Sequence, residues 1–139
     1  MKYLLLSILA ISLLACSEEV IKEKPQFKTE TPEDLIEIVN GVFTEYHPGT
    51  DKKSVKFQGP QDEEKRRHGI WYYHSKAGIQ VSMTEYKHGL KNGVSIVKYE
   101  NGAIRYTGEY ENDIQIGIWK TYDTAGKLAT EKDFGFPPE

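Results

Sequence analysis

A 24-residue period constrains this chain more than any other feature. Gly69-Ile70-Trp71, Gly93-Val94-Ser95 and Gly117-Ile118-Trp119 stand one period apart. A second glycine follows at Gly78, Gly102 and Gly126, and an aromatic residue follows that at Tyr86, Tyr110 and Phe134. Three positions in one register point to a supersecondary unit that stacks on copies of itself. A degenerate first copy is read at Gly41-Val42-Phe43, with Gly49 and Phe57 in the later places. The units therefore run over about 41–57, 69–86, 93–110 and 117–134. The spacing from the first copy to the second is longer because Gln58 to His68 carries extra polar residues, an insertion suited to a surface loop.

Runs of five to eight residues separate the turn signals, which suits strands and is too short for helices. Turns are expected at Asn92-Gly93, Asn101-Gly102 and Ala125-Gly126, where positive φ is most easily adopted. Nine Tyr, five Phe and two Trp beside twelve Gly favour strands and tight turns over packed helices. The expected fold is all-β, an elongated antiparallel meander of stacked hairpins over residues 34–134. Leu35 to Val39 are read as its first strand, joined through Asn40-Gly41 to Val42-Phe43, although Thr31-Pro32-Glu33-Asp34 before them resembles a helix start. Val42, Ile70, Val94 and Ile118 hold equivalent places, and Phe43, Trp71, Ser95 and Trp119 hold the next. Neighbours on a strand point to opposite faces. The β-branched set is expected on the more buried side, and Phe43, Trp71 and Trp119 on an opposite aromatic ridge that either packs the sheet or binds a partner.

The N-terminus carries a different signal. After Met1-Lys2, Tyr3 to Ala15 form a nearly unbroken apolar stretch of thirteen residues, short of the roughly 20 that a spanning helix needs. It ends in Leu13-Leu14-Ala15-Cys16, which resembles the bacterial lipobox. That resemblance implies a signal peptide over 1–15, lipidation of Cys16, the lone cysteine, and a membrane anchored through that lipid. Ser17 after the cysteine, where Asp would retain a lipoprotein at the inner membrane, implies an outer-membrane lipoprotein of a Gram-negative bacterium. The Ser17-Glu18-Glu19 run reads equally as a surface-display signal or as the start of a solvated linker. Residues 16–33 are charged, carry Pro25 and Pro32 and read as a tether; 135–139 read as a C-terminal tail.

Tyr106-Thr107-Gly108-Glu109-Tyr110-Glu111-Asn112 and Gly117-Ile118-Trp119-Lys120-Thr121-Tyr122 resemble the Tyr-x-Gly-x-Tyr-x-Asn and Gly-x-Trp-x-x-Tyr patterns of the bacterial MORN-repeat variant. The resemblance covers about Gly41 to Phe134. It implies a binding or scaffold module without catalytic residues and, as an alternative, an immunity or antitoxin-type protein that neutralises a toxin at the envelope. Ser95, Thr84 and the Gln58 to His68 insertion depart from the pattern.

Catalytic chemistry has no signature here. His47, His68, His74 and His88 fall at different places in the units with no short ligand spacing, so no metal site is expected. No serine sits in a Gly-x-Ser-x-Gly elbow, and the one cysteine is assigned to lipid. No enzyme activity and no cofactor are expected. The net charge of -3 disfavours nucleic acid. Lys65, Arg66 and Arg67 form a basic cluster that could meet anionic headgroups or an acidic partner, against the reading of a solvated loop neutralised by Asp62, Glu63 and Glu64. The expected partner beyond the membrane is another protein or an envelope component.

Overall fold

The computed structural model describes residues 29–136; the stretch read as a signal peptide, Cys16, most of the segment read as a tether and residues 137–139 lie outside the described residues. Among the described residues nine antiparallel strands form one sheet in chain order, β1(Ile36–Val39), β2(Val42–Tyr46), β3(Val55–Pro60), β4(Gly69–His74), β5(Gln80–Lys87), β6(Leu90–Lys98), β7(Ile104–Glu111), β8(Ile114–Tyr122) and β9(Leu128–Asp133). The expected meander is therefore the architecture. Among the described residues no helix is long and apolar enough to cross a membrane. Glu33–Leu35 form a single 3-10 turn, so the helix-like start and the strand reading each hold for part of the segment. Asp34 and Thr31 close that turn reciprocally through backbone and side chain.

Apart from the longer β2–β3 and β3–β4 connections, the hairpins alternate between two kinds. At one end of the sheet Asn40-Gly41, His88-Gly89 and Asn112-Asp113 all take positive φ, the conformation of a two-residue type I′ turn. At the other end Ser75–Ile79, Tyr99–Ala103 and Asp123–Lys127 share one loop. In each, the glycine at Gly78, Gly102 or Gly126 has φ of 82°, 86° or 81° and donates its N–H to the loop's first carbonyl. Asn92-Gly93 is not a turn, because β6 already begins at Leu90. Gly93 lies in a bulge where Thr84 pairs with Ser95 but Tyr86 with Lys91, and Gly117 lies in the matching irregularity of β8. The positive φ of both glycines answers that extra length, as in other bulges.

The register draws rows across the sheet, and one of them carries the packing. Ile38 pairs with Phe43 and Phe43 with Gly59, and Trp71 lies against Gly59 from the next strand. Trp71 pairs with Thr84, Thr84 with Ser95 and Ser95 with Gly108; Trp119 then lies against Gly108 and pairs with Lys132. A Cβ at Gly59 or Gly108 would fall inside the facing indole. Each indole lies across a glycine and donates Nε1–H to the carbonyl of the following residue, Trp71 to Pro60 at 2.8 Å and Trp119 to Glu109 at 3.1 Å. Phe43 and Tyr86 flank Trp71, and Tyr106, Tyr110 and Phe134 flank Trp119.

This reverses the expected assignment of faces. Trp71 is 4% and Trp119 6% exposed, whereas Ile70, Val94 and Ile118 are 41%, 37% and 53% exposed. Trp71 and Trp119 pack the sheet and Ile70, Val94 and Ile118 face out, while Val42 and Phe43 of the first unit are both half-buried. Phe57 also changes place: it pairs with Tyr73 two residues before Gly59, the position that Tyr106 holds before Gly108, and is not the counterpart of Tyr86, Tyr110 and Phe134. Gln58, Gly59 and Pro60 belong to β3, so the polar insertion is confined to about Gln61–His68.

The middle unit replaces glycine and tryptophan together. Thr84 stands where Gly59 and Gly108 stand, and Ser95 where the indoles stand. Their hydroxyls hydrogen-bond at 2.9 Å, satisfying the buried Ser95. Ser95→Trp alone is expected to drive an indole into Thr84 and cost about 1–3 kcal/mol, while adding Thr84→Gly should return most of that loss. Urea denaturation of the two variants checks this, and a double variant no more stable than Ser95→Trp would refute the pairing.

At the edge of the sheet Glu37 of β1 accepts hydrogen bonds from Lys52 at 2.8 Å and Tyr46 at 2.9 Å. The Lys52 contact, then that of Tyr46, holds the Glu37 carboxyl below its ordinary range, and Glu37 in turn raises both partners. A lowered acid contributes fully above its unfolded pKa of about 4.3 and loses that contribution as pH falls; raised Tyr and Lys contribute fully below about 10 and lose it as pH rises. Hydrogen-exchange protection of the β1–β2 hairpin, corrected for intrinsic rates, is expected to plateau between those limits, and Glu37→Gln should remove the acid-side fall.

Candidate functional site

Two surfaces carry chemistry not consumed by packing: the outward face of the sheet and the end at which the β3–β4 loop meets the β5–β6 turn.

On the outward face the register pairs three exposed β-branched residues with acids. Ile70 faces Glu85, Val94 faces Glu109 and Ile118 faces Asp133. These pairs recur at the sequence period, so apolar and negative groups alternate across the sheet. A shallow groove of about 490 Å³ crosses β6 to β8 on this face, lined among others by Val94, Ile116, Ile118, Lys120 and Phe136. No second sheet or helix of the described chain covers it.

At the loop end, the three predicted cations have separate roles and do not form one basic patch. Arg67 turns inward and caps the packed face, its guanidinium 4.8 Å from the Trp71 ring and near Phe57 and Tyr86, with a hydrogen bond to the Tyr86 hydroxyl at 3.2 Å. Contacts of this kind contribute about 0.5–2 kcal/mol each, depending on desolvation. One period later Lys91 sits 4.7 Å from the Tyr110 ring in the same relation. Arg66 pairs with Asp62 and Glu64. Lys65 is exposed at the tip with φ of 62°.

Asp62 organises the loop. Its Oδ1 accepts the backbone N–H of Glu64 at 3.1 Å and of Arg66 at 2.9 Å, which turns Oδ2 toward Arg66 and the Nδ1 of His88 at 3.0 Å. The hydrogen bond to His88, reinforced by the Arg66 contacts, holds the Asp62 carboxyl far below the usual carboxylate range. His88 belongs to the neighbouring turn, which is tied to the loop where Gly89 N–H donates to the Arg67 carbonyl at 2.8 Å. The His68 ring lies 5.1 Å from that of His88. One ligand atom each from Asp62, His68 and His88 falls within 4.8 Å of the others. No short ligand spacing along the chain announces this cluster. These three converge through strand pairing, and the Asp62-to-His88 separation carries no local signal. His47 and His74 lie at the opposite end, where His47 Nε2 meets the His74 carbonyl at 2.8 Å.

No protein-family model, no curated protein and no solved structure matches this chain.

Because one carboxylate holds the loop backbone, Asp62→Ala is expected to free residues 62–66 while leaving the strands intact. Limited trypsin digestion should then cut after Lys65 or Arg66 faster by on the order of tenfold, and an unchanged rate would show that Asp62 does not secure the loop.

Proposed function

We propose that this chain is a non-enzymatic bacterial lipoprotein, anchored through lipid on Cys16 at the outer membrane, whose β domain is a MORN-variant-like interaction module. The observation that carries the interaction reading is the outward face: a stripe of Ile70, Val94 and Ile118 alternating with Glu85, Glu109 and Asp133, left open by a single-layer sheet. Exposed apolar groups recurring at one spacing and framed by charge suit recognition of an extended protein or polymer, since each unit offers the same contact again. The recurrence of one loop geometry at Gly78, Gly102 and Gly126 supports the repeat reading. The lipobox-like Leu13-Leu14-Ala15-Cys16 supports the anchor.

Chain direction adds an orientation. β1 leads away from the tether toward Asn40-Gly41, so the described chain enters at the end where Glu30 accepts the Gly49 N–H at 2.7 Å. The end bearing Asp62, His68 and His88 is separated from it by the length of the strands, about 20 Å for six residues.

Cells supplied with a palmitate analogue should label the wild-type chain and not Cys16→Ser. A photo-crosslinking residue at Val94 should give a discrete adduct in the same cells, whereas one at the inward Val97 should not. Equal labelling of both chains would refute the anchor; equal crosslinking at both positions would refute the outward face as the binding surface.

A further inference from the structure

The cluster at the loop end is a donor set that neither the packing nor the proposed binding face uses. We propose that Asp62, His68 and His88 form a binding site for a divalent transition-metal ion of the zinc class, joining the β3–β4 loop to the β5–β6 turn, with Arg66 as an internal cation that competes for the same ligand atoms.

Two imidazoles and one carboxylate are the ligands that such ions prefer, and three protein ligands leave a tetrahedral position open to solvent. Magnesium and calcium favour all-oxygen shells and are poorly served by two nitrogens. The spacing is close to what the ion requires. Ligands about 2.1 Å from a tetrahedral centre lie about 3.4 Å apart, and the three donor atoms here already fall within 4.8 Å of one another. Side-chain rotations can bring them together, because His68 and His88 are both exposed.

The carboxylate is also positioned in advance. Two backbone N–H groups fix Asp62 Oδ1 and present Oδ2 to the cluster, the supporting arrangement that orients a metal ligand. Arg66 argues for a cation at this point as much as it competes with one. Its Nη2 lies 2.9 Å from Asp62 Oδ2 and 3.1 Å from His88 Nδ1, so the fold already places positive charge beside both groups. Its Nη1 meets Glu64 Oε2 at 2.8 Å, leaving the guanidinium an acidic partner if it withdraws from Asp62. An ion pair whose guanidinium is solvent-exposed is a weaker competitor than three ligands closing on a divalent ion.

Calorimetric titration of zinc chloride into the full chain carrying Cys16→Ser, which removes the only thiol, tests this. One ion per chain is expected. His68→Ala and His88→Ala should each weaken it by about tenfold or more, His47→Ala at the opposite end should bind as the parent does, and Arg66→Gln should bind several-fold more tightly. Far-ultraviolet circular dichroism verifies that each variant is folded. Cobalt(II) in place of zinc should give a visible absorption band in the parent that is absent from the doubly substituted His68→Ala, His88→Ala chain. Zinc binding equal in the parent and that folded double variant, or calcium bound as tightly as zinc, would overturn the site. Weaker binding by Arg66→Gln would overturn the competing role of Arg66.

Discussion

An indole lying flat across a glycine of the next strand is the contact on which this sheet depends. A single-layer sheet has no opposing layer to bury its apolar groups, so burial must come from side chains that fold over their own backbone. Glycine opposite tryptophan makes that possible at Gly59 with Trp71 and at Gly108 with Trp119, because only the missing Cβ lets the ring approach. The indole N–H then finds the next carbonyl along, so the ring is buried without stranding its polar atom. With Leu35, these two rings are the buried hydrophobic residues among those described. The surrounding Phe and Tyr residues extend each into an aromatic cluster, and Arg67 closes the first from above.

Between the two indoles the same row runs through Thr84 and Ser95, and the exchange shows what the position demands. Removing the ring leaves room that a threonine side chain occupies, and the buried hydroxyls pair with each other. A typical hydrogen bond of this kind contributes about 1 kcal/mol, far less than the 3–5 kcal/mol associated with truncating a buried tryptophan. The middle of the sheet is thus expected to be its weaker part, flanked by two aromatic clusters. Cooperativity must then be carried across by backbone pairing and by the neighbouring row Phe57, Tyr73, Ser82, Val97, Tyr106 and Thr121, whose members pair strand to strand without a gap.

Much of the fold was legible in the sequence because the period repeats what the hairpins repeat. Gly78, Gly102 and Gly126 mark one loop conformation three times, and the meander follows from strands joined by short turns. The assignment of faces was not legible. Ile and Trp both suit a buried face, and alternation separates the two sets without saying which one packs. Gly59 and Gly108 held the deciding information, since a glycine in mid-strand marks a close approach by something large. Asn92-Gly93 misled for a related reason: the dipeptide favours positive φ, and a bulge uses that preference as readily as a turn does. The Asp62, His68 and His88 cluster had no periodic signal at all, because the loop that supplies two of its members is the one departure from the period.

That departure bears on where a sheet with such a sequence period can carry irregular chemistry. Recurring positions such as Gly78, Gly102 and Gly126, or Trp71 and Trp119, are tied to turn geometry or to packing, and substituting one disturbs its neighbours. Gln61 to His68 has no such obligation at its tip, so it can carry charged groups that the repeats could not absorb. It is nevertheless held firmly, through Asp62 to its own backbone and through the Arg67 carbonyl to the next turn. Arg67 and His68 show the division between adjacent residues: one side chain lies over Trp71 and stabilises the sheet, while the next points to His88 and solvent. A loop that is irregular in sequence yet fixed in position combines the two properties a binding site needs, and the repeats supply the rigidity on which it rests.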